Sequence, residues 1–118
     1  LLSKDRALLC TNLALEKKAL DLKILEVAGL SSLTDYLVIA TGTSDRHVQA
    51  VAEEIRLGMK QGHDTSPMAV EGMDEGRWVL IDYGDVMVHV FQPQTRAFYD
   101  LEGLWSEAVD IQLPVVGG

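Results

Sequence analysis

The chain is short of cysteine, of long apolar runs and, in its second half, of positive charge. Cys10 is the single thiol among 118 residues, so no internal disulfide can form and a reducing compartment is expected. No apolar stretch approaches the ~20 residues of a membrane span. Residues 1–20 have neither the layout of a signal peptide nor the Arg-rich, acid-poor character of a transit peptide. The expected location is therefore cytoplasmic. Internal repeats, low-complexity tracts and linkers are missing too, which leaves one domain over residues 1–113, followed by a frayed tail at 114–118. At 47% apolar and 24% charged residues, the chain is composed to fold rather than to stay disordered.

The shortage of positive charge is local. Residues 1–63 carry eight bases and eight acids, whereas residues 64–118 carry ten acids against only Arg77 and Arg96, so the whole net charge of −8 lies in the second half. Nucleic acid and anionic membrane both need a basic footprint, and neither is the expected partner. A basic protein surface is.

Periodicity lays out the elements. Residues 3–20 read as a helix with Ser3 as N-cap, Lys17 and Lys18 near its negative end, and an apolar stripe through Leu9, Cys10, Leu13, Ala14 and Leu20. Residues 22–27 read as a short strand. Residues 36–40, Tyr-Leu-Val-Ile-Ala, form a continuous apolar run of the kind covered on both faces. A second helix opens at Ser44, repeats apolar residues at Val48, Val51, Ala52, Ile55 and Met59, and ends near Gly62. Strands are expected over 68–71, 77–83 and 86–91. Pro93 then opens a helix through Leu101 that breaks at Gly103 and resumes over 104–109. The order αββαβββα predicts a single α/β domain with a mixed sheet of about five strands flanked by helices.

Few residues carry chemistry. The three histidines, at 47, 63 and 89, lack zinc-ligand spacing, and Cys10 sits on an apolar helix stripe. Thr41-Gly42-Thr43-Ser44 joins a strand to a helix start, where free N–H groups can hold a phosphate, but it is neither a P-loop nor a GxGxxG fingerprint. The segment 77–91 is more informative. With Tyr83 and Gly84 as a two-residue turn, Asp82 faces Asp85, Leu80 faces Met87 and Trp78 faces His89 on one side of the sheet. Val79, Ile81, Val86, Val88 and Val90 face the other side as core. Three readings of the first side stand together: aspartates flanking a solvated turn, an acidic protein-binding patch centred on Trp78, or a metal site from Asp82, Asp85 and His89.

Four segments carry a resemblance. They are Asp35-Tyr-Leu-Val-Ile-Ala-Thr-Gly-Thr-Ser-Asp-Arg-His47, Val70-Glu-Gly72, the run from Trp78 to Phe91, and Arg96-Ala-Phe-Tyr-Asp-Leu-Glu-Gly-Leu-Trp105. In this order they closely resemble the Iojap/YbeB family of ribosomal silencing factors. The resemblance implies a domain that binds the large ribosomal subunit through a basic ribosomal protein, large-subunit protein fourteen. It would sterically block joining of the small subunit and so repress translation, with little RNA contact and no cofactor, metal or turnover. It also implies a nucleotidyltransferase-like topology. The catalytic acids of that fold are missing here: Glu53 and Glu54 are adjacent within a helix, and Asp82 and Asp85 come forty residues after Gly42. On this reading Trp78, Leu80, Met87 and His89 supply contact area and Asp82, Asp85, Asp100 and Glu102 face basic groups, with Tyr99, Leu104 and Trp105 extending the patch. A nucleotide-binding relic with weak activity and a homodimeric scaffold are the competing readings.

Overall fold

The computed structural model describes residues 2–113; the tail expected at 114–118 lies outside the described residues. The elements are α1 (Ser3–Glu16), β1 (Leu20–Glu26), β2 (Tyr36–Thr41), α2 (Asp45–His63), β3 (Ala69–Glu71), β4 (Trp78–Asp82), β5 (Val86–Phe91), α3 (Pro93–Tyr99), α4 (Leu101–Leu104) and β6 (Val109–Ile111). They form a mixed α/β domain around one six-stranded sheet of order β3-β4-β5-β2-β1-β6. Among the described residues the central pair β2 and β5 runs parallel and every other neighbouring pair of strands is antiparallel.

Central position explains the composition of β2. All six of its residues are buried, because both sheet faces are covered there. The helix-covered face holds the larger core. Val79, Ile81, Val86, Val88 and Val90 are fully buried on it, as their alternation predicts. They meet Ala7, Cys10 and Ala14 of α1 and Val48, Val51, Ala52, Ile55 and Met59 of α2. Burial pushes the Cys10 thiol up to about 12, so it stays protonated and packs as a small apolar residue.

Three local expectations change. The first helix starts from Leu2, in extended conformation, and ends at Glu16. Ser3 lies inside it, and its hydroxyl donates instead to Asp85 at 2.8 Å. Lys18 turns left-handed at φ 60°, which reverses the chain into β1 so that Leu20 can pair with Thr41. The sheet gains a sixth strand at the C-terminal side: the segment 104–109 leaves the helix after Leu104, turns through an Ala108 N–H bond to the Trp105 carbonyl, and becomes β6. The physical reason is the open edge of β1, whose backbone groups pair with Val109–Ile111. Asp100, left-handed at φ 45°, ends α3 and caps α4, and α4 ends at Leu104 with Trp105 as its C-cap.

Gly72, directly after β3, lies against the first residue of β4. Its φ is +85°, and a Cβ there would lie 2.0 Å from the Trp78 carbonyl oxygen. Gly72→Ala is therefore expected to destabilise the fold by roughly 2–4 kcal/mol, lowering Tm by ~10 °C or more. Thermal melts followed by circular dichroism check this; an unchanged Tm would show that the backbone relaxes freely at this turn.

Candidate functional site

The face turned away from α1 and α2 is built in rows across the strands. Pairing puts Ala69, Asp82, Met87, Leu37 and Leu25 in one row and Glu71, Leu80, His89, Ile39 and Lys23 in the next. A third row holds Trp78, Phe91, Thr41 and Leu20. The two halves of this face differ. Over β1 and β2, Leu25, Val27, Leu37 and Ile39 are buried beneath Leu101, Trp105 and Ala108. Over β3, β4 and β5, Leu80, Asp82 and Met87 remain half-buried, with Ala69 and Glu71 exposed beside them.

Hairpin register differs from the two-residue turn expected. Asp82 pairs with Met87, Leu80 with His89 and Trp78 with Phe91, a slip of two residues. The cause is a longer turn, in which Asp82 Oδ1 accepts the Gly84 N–H at 2.7 Å and Gly84 takes φ +88°. A slip of two keeps every strand residue on its expected face. Asp85 alone is displaced. It leaves the ladder, turns toward α1, and is ion-paired with Arg6 while accepting from Ser3. Asp82 and Asp85 thus neither oppose each other nor share a site. Among the described residues no group of three His, Cys, Asp or Glu side chains could hold a metal ion.

Trp78 organises the exposed half. Its indole N–H donates to His89 Nδ1 at 3.0 Å. Its ring lies 5.0 Å from Phe91 and 4.6 Å from Tyr99, centroid to centroid. Accepting that bond makes His89 Nδ1 the bare nitrogen, and burial lowers the His89 pKa to about 4. Phe98, 80% exposed, meets Tyr99 edge to face at 5.1 Å.

Helices α3 and α4 bury no residue completely, yet they hold Tyr99 over Trp78. Arg96 fastens them. Its guanidinium donates to Glu102 at 2.9 Å, to the Asp21 carbonyl at 2.6 Å and to Thr41 Oγ1 at 2.7 Å, and its side chain is 11% exposed. Asp21 is left-handed at φ 49° within the β1 bulge. Glu102 is thereby engaged within the molecule. Asp100 caps α4 by accepting the Gly103 N–H at 3.1 Å and stays exposed.

The structure gathers Trp78, Leu80, Asp82, Met87, His89 and Tyr99 on one half-face, with Asp100 beyond Tyr99. Asp85 and Glu102 are drawn into ion pairs, and Trp105 covers the other half. Leu104 is 72% exposed but shares a groove with Leu30, in the β1–β2 connection. Glu71, Glu75, Arg77 and Phe98 were not singled out as contact residues. The alternation of β3 and β4 signals Glu71; Glu75 and Arg77 lie in a connection, which has no such pattern. The turn at Gly42 has its donors engaged internally: Gly42 N–H bonds the Phe91 carbonyl at 2.9 Å and Thr43 N–H bonds His47 Nδ1 at 2.8 Å. A phosphate there would have to displace both bonds.

Burial of a neutral His89 gives a pH dependence of defined sign. The unfolded ring takes up a proton near 6.5 and the folded ring only near 4, so its stabilising effect is complete above 6.5 and is lost as pH falls from 6.5 to 4. The difference in unfolding free energy between the wild type and His89→Gln should shrink across this window by up to about 3 kcal/mol. Denaturant titrations at pH 7, 5.5 and 4 check it; a difference independent of pH would contradict a buried neutral ring.

Several known proteins resemble the chain as a whole. Residues 2–117 match the family model described as ribosomal silencing factor during starvation. The ribosomal silencing factor of Bacillus subtilis is 44% identical over 93 residues, 79% of this chain and 78% of that protein. The mouse protein named mitochondrial assembly of ribosomal large subunit protein 1 is 33% identical over 93 residues, 77% of this chain and 41% of its own length. A crystal structure of protein CV0518 from Chromobacterium violaceum superposes with a TM-score of 0.86 at 34% identity, covering 99% of this chain and 95% of that one. With a family model spanning nearly its whole length and a fold shared at that identity, the chain belongs to the ribosomal silencing factors.

Proposed function

We propose that this protein binds the large ribosomal subunit through a basic large-subunit protein, number fourteen, and represses translation by occupying space the small subunit needs. One observation carries the reading. Half of a sheet face, with Trp78, Leu80, Met87 and Tyr99 at its centre, is left without a covering helix in the acidic part of the chain. Aromatic and apolar side chains of this kind anchor protein interfaces, and the surrounding acids steer a basic partner. The family supports ribosome silencing, and the relative named for large-subunit assembly supports that subunit as the target. No helix among the described residues is long and apolar enough to cross a membrane. The ribosomes of the cytoplasm are the proposed site of action. No chemical step is proposed.

Co-sedimentation with purified large subunits tests the reading. Met87→Lys and Leu80→Lys place a cation on half-exposed positions of the face and should weaken binding by tenfold or more. Asp82→Asn keeps the acceptor for Gly84 while removing charge, and should slow association and flatten its salt dependence. Leu57→Lys, on the exposed side of α2, should change nothing. Variants that bind weakly should also fail to hold large and small subunits apart in a gradient. Full binding by both lysine variants would contradict the assigned face. Loss of a concentration-dependent dimer instead would assign the face to a second copy.

A further inference from the structure

Between the β3–β4 connection and α3 the exposed half-face deepens into a groove of about 530 Å³, with Trp78, Phe98 and Tyr99 along it and Glu75 and Arg77 at its side. That volume is in the range of ligand pockets, and among the described residues no apolar side chain fills it, since Phe98 remains 80% exposed. The rings are set at different inclinations. Trp78 and Tyr99 meet at 45° and Phe98 and Tyr99 at 86°, so faces and edges from three aromatics border one space. Aromatic faces carry negative potential and attract cations.

Charge decides between a cation and an anion as occupant. Residues 64–118 hold ten acids and two arginines, and Arg96 is committed to Glu102, Asp21 and Thr41. Arg77 is then the lone positive group at a groove that has Glu75 in its wall and Glu71 and Asp82 on the adjoining rows. A phosphate would enter against this field. A guanidinium would stack on the rings and give a planar donor pair to the Glu75 carboxylate, a combination that an ammonium does not match.

We propose that the groove is a receptor for an arginine side chain of the basic protein partner; this rests on the docking face proposed above. Arg77 is the groove's own competitor. It repels an incoming guanidinium, so its removal discriminates the sign of the occupant.

The test measures affinity for purified large subunits with Phe98→Ala, Glu75→Gln and Arg77→Ala, all at exposed positions. Leu80→Lys serves as the control for the face, and Glu107→Gln makes the same charge change outside the groove. Phe98→Ala and Glu75→Gln should weaken binding about 5- to 30-fold, Arg77→Ala should strengthen it, and Glu107→Gln should have a smaller effect than Glu75→Gln. Weaker binding by Arg77→Ala with stronger binding by Glu75→Gln would overturn the proposal in favour of an RNA phosphate. Unchanged affinity in all three groove variants, with binding lost in Leu80→Lys, would overturn the receptor and leave the docking face standing. Unchanged affinity in Leu80→Lys as well would remove the docking face too.

Discussion

A sheet has two faces, and the two long helices among the described residues, α1 and α2, are both placed on the same one. That constraint governs the rest of the molecule. Strand alternation sends the valines of β4 and β5 to the helices and the intervening residues to the opposite face. The opposite face must then be covered by whatever follows β5. Among the described residues two short helices, a turn and a three-residue strand are left for this purpose. They close the β1–β2 half with Leu101, Trp105 and Ala108 and leave β3, β4 and Met87 of β5 open.

Trp78 stands at the boundary of the two halves, and its environment serves both stability and exposure. Its N–H is satisfied by His89, one face is packed by Phe91, and Tyr99 leans over it from α3. A tryptophan held in this way loses little further freedom when a partner covers it, which is a favourable property for an interface anchor. Acid placement divides similarly. Asp85 and Glu102 are committed to Arg6 and Arg96, where they hold the hairpin tip to α1 and the short helices to the sheet. Glu71, Asp82 and Glu75 remain on or beside the open half. The acidic second half of the chain therefore contains both structural ion pairs and a field available to a partner.

Much of this was legible in the sequence, and the reasons are local. The alternation of Val79, Ile81, Val86, Val88 and Val90 against Trp78, Leu80, Met87 and His89 is a period-two signal that assigns faces without knowledge of register. For that reason the slip of two residues in the hairpin left the face intact while changing each partner. Asp85 was misplaced because the turn, not the strand, decides its direction, and turn length depended on the Asp82–Gly84 bond. Strand β6 was hidden because Val109–Ile111 pairs with β1, some 85 residues away, through backbone groups that carry no sequence signature. Phe98 and Tyr99 are adjacent in a short helix, and only the tilt imposed by Arg96 and the Trp78 ring decides which of them packs and which stays in water.

Hydroxyl-radical footprinting of the unmodified protein, free and bound to large ribosomal subunits, tests the open half-face most directly, because it reads the side chains of methionine and the aromatic residues. Met87, Phe98 and Tyr99 should lose reactivity on binding, while Leu15 and Leu57 on the outer sides of α1 and α2 stay unchanged. Protection of the helix side with Met87 and Phe98 still reactive would contradict the assignment of the uncovered half-sheet as the surface that meets the ribosome.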